Sequence, residues 1–106
     1  MASKQFIYRI QPVRDRMLAD GPTEEESHVV SEHYKYLKGL SDSGVVLFAG
    51  RTLNTESSSF GIVILLAESE AQAREIMEDD PAVNGRVMRA ELYPFRIAIP
   101  LPAAEK

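Results

Sequence analysis

Both histidines of the chain fall in one short stretch, HVVSEHYKYL, as His28 and His33. Imidazole changes charge near neutral pH, so each is a candidate for moving a proton. Their surroundings separate them. At about 100° per residue on a helix, Val29, Val30, Tyr34, Tyr36, Leu37 and Leu40 share one broad apolar arc, and His33 sits near its centre. His28 projects from the opposite side, beyond Glu32 and Lys35, where solvent is expected. Two readings of His33 stay open: a proton-transfer group, or an imidazole packed as a small aromatic with one ring nitrogen satisfied.

A carboxylate that fixed the tautomer of His33 would make it a serviceable acid and base. The segment AQAREIMEDDP offers one. Ala73, Ile76 and Met77 define the inward stripe of a helix, and the same phase carries Asp80 onto that stripe, with Asp79 nearer its edge. Glu78, Asp79 and Asp80 gather at the helix C-terminus, the unfavourable end of the dipole for negative charge, and local rules are broken more readily where function compensates. The competing reading makes Asp80 the N-cap of a short turn starting at Pro81, a favoured pairing. Pro81 also biases Asp80 away from helical dihedrals, which leaves the projected phase open.

The elements that must position these groups follow from local signals. QFIYRI reads as a first strand ending at Pro12, which cannot donate to a ladder. The polar segment over residues 12–22, with Pro at both ends, reads as a long loop, either a lid or an irregular surface excursion. Thr23 and Glu26 form a capping box that opens a helix running to about Ser43, with Gly44 as its left-handed cap. VVLFAGRTL is a second strand, NTESSS a hairpin loop and FGIVILLAE a third strand. Ser69 with Gln72 makes another capping box and opens the second helix through residue 79. RVMRAELYPFRIAI is the fourth strand, and Pro94 implies an edge position or a bulge. One domain over residues 1–98 is expected, with a tail over 99–106.

The order β-α-β-β-α-β defines an α+β, ferredoxin-like arrangement: an antiparallel sheet with both helices on one face. In IVILL, Ile62 and Ile64 point one way and Val63 and Leu65 the other, so both faces are apolar although two helices cover only one. A second copy of the sheet about a two-fold axis would cover the other face. The expected assembly is a homodimer, a dimeric α/β barrel.

Composition narrows the function. Twelve Lys and Arg against sixteen Asp and Glu give a net charge of -4, which supplies no overall positive field for nucleic acid. There is no cysteine, so disulfides, thiolate nucleophiles and zinc-thiolate sites are excluded, and a reducing cytoplasm fits. The longest apolar run, IVILLA, is too short to span a membrane, and the N-terminus lacks a secretory pattern. No P-loop, dinucleotide glycine fingerprint, HExxH or GxSxG occurs, and two histidines on opposite helix faces make poor ligands to one ion. No cofactor or metal is expected.

EHYKYLKGLSDSGVVLFAG, FGIVILLAESEAQA and DDPAVNGRVMRAELYPF together resemble the YciI-like, or YCII-related, group of small proteins over nearly the whole chain. The matching features are His33, Ala49-Gly50, Phe60-Gly61, Asp80-Pro81 and Phe95. The resemblance implies a ferredoxin-like dimeric α/β barrel with a site built on His33 and Asp80. One such relative is associated with dehydrochlorination of a chlorinated hydroxyquinone, and muconolactone-isomerase-like proteins share the fold. Arg51 departs from the pattern, since many relatives have Pro after Ala-Gly. It is either a solvated strand residue or a contact for an anionic substrate group.

Two functions are therefore expected to compete. One is a cofactor-independent enzyme that transfers a proton on a small molecule, aromatic or carbonyl-bearing, with elimination or isomerisation, using His33 as base or acid, Asp80 as its orienting partner and Arg51 at the substrate. The other is a non-catalytic homodimer that binds a metabolite or serves as an accessory subunit. Heme- or oxygen-dependent chemistry on a similar barrel is weaker, because no residue pattern identifies such a cofactor.

Overall fold

A computed structural model describes residues 3–100. Eight elements follow in order: β1 (Lys4–Pro12), α1 (Met17–Asp20), α2 (Glu24–Asp42), β2 (Val46–Arg51), β3 (Gly61–Ala67), α3 (Glu70–Asp79), α4 (Pro81–Asn84) and β4 (Met88–Pro94). The sheet is wholly antiparallel in the order β2-β3-β1-β4, the order a split βαβ topology requires. The fold is therefore α+β and ferredoxin-like, as the element order implies. Among the described residues no helix is long and apolar enough to cross a membrane.

Alternation decides which face is core. Phe6, Tyr8 and Ile10 of β1 and Val63, Leu65 and Ala67 of β3 all point to the helix side, where they meet Ala73 and Met77 of α3. Ile62 and Ile64 lie on the other face, as the period-2 pattern requires. There Phe48, Ile64, Ile7 and Tyr93 stand in register across four strands. Ile64 is shaded to 3% exposure by its neighbours, while Phe48 and Tyr93 at the flanks remain 41% and 48% exposed.

Caps fix the helix ends. The Thr23 side chain accepts from the Glu26 N–H and the Glu26 carboxylate accepts from the Thr23 N–H, so the expected capping box is complete. At the other end the Val45 N–H reaches the Leu40 carbonyl and the Gly44 N–H reaches that of Ser41, with Gly44 at φ 85°; this is a Schellman closure. Ser69 caps α3 as expected, but Gln72 turns its carbonyl oxygen to the Glu68 N–H rather than to Ser69, so this second box is only half formed.

Several boundaries differ from those read in the sequence, among them the second strand, read as residues 45–53 and found as Val46–Arg51. The segment over residues 12–22 is not wholly irregular: it carries α1, which buries Met17. A helix of four residues is too short to show a period in sequence. The fourth strand is Met88–Pro94 rather than 86–99, because Pro94 ends the ladder on β4, an edge of the sheet. Phe95 and Ile97 continue alongside β1 through bonds to the Gln5 carbonyl and side chain. The short turn that the sequence allowed at Pro81 is present as α4, Pro81–Asn84. The tail expected beyond residue 98 lies, from residue 101, outside the described residues.

The α1 segment is tied down by Arg14, whose guanidinium makes two bonds to Glu26 (3.0 and 2.7 Å) and one to the Gly21 carbonyl (3.0 Å). Arg14 and the Thr23 N–H together hold the Glu26 carboxyl at about 2, below its usual 4.5. A depressed folded-state value adds stability above the unfolded value, and that stability is lost as pH falls through the folded one. The thermal midpoint of the native protein should thus exceed that of Glu26→Gln at neutral pH, and the gap should close as pH falls from about 4.5 toward 2. Melting curves across that range check this; a gap indifferent to pH would mean that Glu26 acts other than as a carboxylate.

Candidate functional site

Asp80 is at the junction of α3 and α4 and is fully buried. The inward stripe of Ala73 and Met77 delivers it to the interior, although Pro81 sets its backbone to an extended conformation (φ -60°, ψ 124°). Both readings of Asp80 from the sequence are realised at once. Its Oδ1 accepts from the Ala82 N–H at 3.0 Å, capping α4 with Pro81 at N1. The same carboxylate meets His33 Nδ1 at 2.7 and 2.9 Å.

Tyr8 on β1 is a third partner, its hydroxyl donating to Asp80 Oδ2 at 2.7 Å. Burial, and then the Asp80 carboxylate, raise the Tyr8 phenol far above its ordinary value, so it remains a donor. With both oxygens acting as acceptors, Nδ1 of His33 supplies the proton to Asp80. In a neutral ring of that tautomer the lone pair is on Nε2. The His33 side chain is 14% exposed, and it lines a cavity of about 410 Å³. Nε2 makes no hydrogen bond within the described residues, and no buried side-chain nitrogen or oxygen among them lacks a partner. Nε2 is therefore the ring atom that the described residues neither bond nor seal from solvent.

The cavity lies between α2 and the β2–β3 edge of the sheet. Its walls are mainly apolar: Leu18 of α1, Val30 and Leu37 of α2, Phe48 of β2, and Phe60 and Ile62 toward β3. The two dipeptides Ala49-Gly50 and Phe60-Gly61 meet there, since Arg51 pairs with Gly61 and Gly50 with Ile62 across the strands. A Cβ on Gly61 would come within 3.1 Å of the Ile10 side chain and 3.3 Å of the Gly50 carbonyl, so the wall is thin because that residue is glycine. No residue of α2 is fully buried: Leu37 and Leu40 pack against the core, while Val30 and His33 border the cavity. Tyr36 helps to hold the helix there by donating to the Ile76 carbonyl at 2.7 Å; burial, with Asp79, Asp80 and Glu75 nearby, pushes its phenol up to about 12.

His28 is exposed, as helix geometry implies. Arg51 is exposed, borders the cavity and makes one long bond, to the Thr52 carbonyl at 3.4 Å. Two residues of the site were not singled out from the sequence. Tyr8 carried a signal: its hydroxyl points inward between Phe6 and Ile10, and a buried hydroxyl demands a partner. Ser59 lines the cavity at 3% exposure, but in sequence it is one of three consecutive serines in a loop, with no mark to distinguish it.

The chain belongs to the YCII-related domain family, whose pattern matches residues 8–96. No curated protein sequence matches it. Among solved structures it is similar to the 5-chloro-2-hydroxyhydroquinone dehydrochlorinase of Burkholderia phenoliruptrix, determined in complex with 2,5-dihydroxybenzoquinone: TM-score 0.64, 15% identity, covering 87% of this chain and 93% of the other. It is also similar to an uncharacterised protein of Thermotoga maritima, with TM-score 0.52, 12% identity, and coverage of 90% of this chain and all of the other. At these identities the likeness is one of fold.

Removing the Asp80 carboxylate would strand Tyr8, His33 and the Ala82 N–H together. Asp80→Ala should cost on the order of 3–5 kcal/mol, whereas Tyr8→Phe, losing one buried bond to a charged acceptor, should cost about 1.5–3 kcal/mol. Urea denaturation of both variants measures this. A near-neutral Asp80→Ala would show that the carboxylate is not the junction described.

Proposed function

We propose that this protein is a cofactor-independent enzyme that moves a proton on a small cyclic or carbonyl-bearing molecule, leading to elimination or isomerisation. The observation that carries the reading is the orientation of His33: Nδ1 is anchored to the buried Asp80, and Nε2 is left at an apolar cavity. In this reading Nε2 takes a proton from the substrate. The electron pair released either expels a leaving group, which departs with its own bonding pair, or is reprotonated at another carbon by the imidazolium. Asp80 orients the ring and stabilises the imidazolium without itself accepting the proton. Arg51 contacts an anionic group of the substrate. A fold shared with a dehydrochlorinase that holds a quinone supports the class of reaction, since dehydrochlorination is an elimination.

The reading includes the assembly. The apolar row Phe48–Ile64–Ile7–Tyr93 on the open sheet face is suited to a second copy of the chain, completing a dimeric α/β barrel. A second hollow of about 260 Å³, bordered by Phe48, Arg51 and Phe60, would then be roofed by the partner.

Two measurements test these claims. Small cyclic ketones, lactones and hydroxyquinones incubated in deuterated water should show enzyme-dependent exchange or turnover for at least one compound, and His33→Gln should lower it by about 100-fold or more while the fold persists. Activity untouched by His33→Gln removes the mechanism, and a panel wholly inert with the native protein favours the non-catalytic binding role. Sedimentation equilibrium should give twice the chain mass, reduced to the monomer by Tyr93→Lys; a monomeric native protein overturns the barrel.

A further inference from the structure

Besides Tyr8 with its hydroxyl, Ser59 and Asp80 are the buried polar side chains among the described residues. Asp80 stands behind His33, and Ser59 contributes to the wall of the same cavity from the β2–β3 connection. That connection is held closed: Thr52 N–H bonds the Phe60 carbonyl (2.9 Å), Ser59 N–H bonds that of Glu56 (2.9 Å), and Gln11 Nε2 donates to the carbonyls of Ser57 and Ser59. Ser59 is thus placed by the scaffold, although it lies in a loop.

The Ser59 hydroxyl has one side-chain neighbour, Thr52 Oγ1 at 3.1 Å. Thr52 Oγ1 already accepts the Phe60 N–H at 3.1 Å, which favours Thr52 as the donor to Ser59. Two hydroxyls that share one hydrogen bond leave one hydroxyl proton over. With Thr52 donating, that proton belongs to Ser59, and the donated bond polarises it further.

The charges around the cavity agree in sign. Its lining contains no Asp or Glu, in a chain where acids outnumber bases sixteen to twelve. It contains two cations, Lys38 and Arg51, and Lys38 is taken by Asp42 at 2.6 Å. Arg51 enters no ion pair within the described residues.

From these observations we infer that Ser59, backed by Thr52, forms with Arg51 an oxyanion subsite for a planar one-ring ligand bearing an ionised ring oxygen, a phenolate or an enolate. A cavity of about 410 Å³ has room for such a ring, within the usual range for ligand sites, and Leu18, Val30 and Leu37 offer it apolar contact. The inference rests on the reading of His33 above and deepens it. As Nε2 takes a proton from the carbon beside a ring carbonyl, the pair of the breaking C–H bond becomes a C=C bond and the carbonyl π pair moves onto oxygen, giving the enolate whose charge the Ser59 O–H and the Arg51 guanidinium meet. When the pair returns to carbon, the leaving group departs with its own bonding pair.

The test is binding of 2,5-dihydroxybenzoquinone, compared with 2,5-dimethoxybenzoquinone, which has the same ring and no ionisable hydroxyl. Calorimetry on the native protein should find the dihydroxy compound bound at least tenfold more tightly. Ser59→Ala and Arg51→Gln should each weaken it by about tenfold or more and leave the dimethoxy compound unchanged. Arg51 is exposed, so its variant keeps the test decisive even where Ser59→Ala unfolds. Equal affinity for the two quinones, no binding of either, or affinities indifferent to Arg51→Gln and to a folded Ser59→Ala overturn the subsite. Turnover that depends on His33 alongside binding indifferent to Ser59 and Arg51 would sink the subsite and keep the enzyme. Selective binding with no turnover of any compound would do the reverse.

Discussion

Everything near the site depends on one buried carboxylate. Asp80 has no contact with water, and an unpaired charge in that position would cost several kcal/mol. It is tolerated because three donors converge on it: the Tyr8 hydroxyl from β1, the His33 ring from α2 and the Ala82 N–H from α4. Those donors are 72, 47 and 2 residues away in sequence. The carboxylate is therefore satisfied only when strand, long helix and short helix have all docked, and its desolvation couples their positions. His33 gains a fixed tautomer and ring orientation from elements that already belong to the scaffold, the arrangement that holds a reactive group most firmly.

The cavity is a consequence of how α2 is held. A helix of 19 residues with none fully buried packs Leu37 and Leu40 against the core, and polar restraints are distributed along its length besides. The capping box and the Arg14–Glu26 pair secure its start, the Schellman closure secures its end, and bonds from His33 and Tyr36 secure its middle. Gly85 permits the approach of α4 from beneath: a Cβ there would meet the Pro81 carbonyl at 2.8 Å and Val29 of α2 at 3.5 Å. Polar tethers at intervals allow the apolar stripe of the helix to overhang the β2–β3 edge without collapsing onto it. The space so preserved is lined by the stripe itself, which explains why the arc of Val30, His33 and Leu37 reads in sequence as core.

Periodicity carried most of what the sequence disclosed. A period of 2 in β3 and of 3.6 in α3 assigned faces correctly, and in α2 it did so for Val30, His33 and Leu37 but not for Tyr34, which was read into the apolar arc and is 66% exposed; the faces brought His33 and Asp80 to the same side of the sheet. What periodicity cannot carry is short or non-local. Four residues of α1 hold no repeat, and a break as slight as Pro94 at a sheet edge moves the end of β4 by several residues. Tyr8 became informative only once β1 was known to run beneath Asp80. Ser59 became so only when the closed β2–β3 connection turned it inward, because TESSS offers three equivalent hydroxyls until the chain is folded. The alternatives left open for Asp80 were not exclusive: the same two oxygens serve a helix cap and a histidine.

The two apolar faces of β3 connect the proposed assembly to the proposed chemistry. Ile64 is covered by its neighbours within one chain, but covering Phe48 and Tyr93 on the same face would require a further layer, and two main helices cannot flank both sides of one sheet while sharing one core. Phe48, Arg51 and Phe60 border both the cavity and the hollow on the open face, so the β2 edge belongs to both surfaces. A second copy seated on that face would remove water from the flank of the cavity where Arg51 stands. Lower effective dielectric strengthens every charged contact made there, and the attraction of one guanidinium for an anionic oxygen grows accordingly. On this argument, in the proposed barrel, association completes the electrostatics of the site as well as covering a sheet.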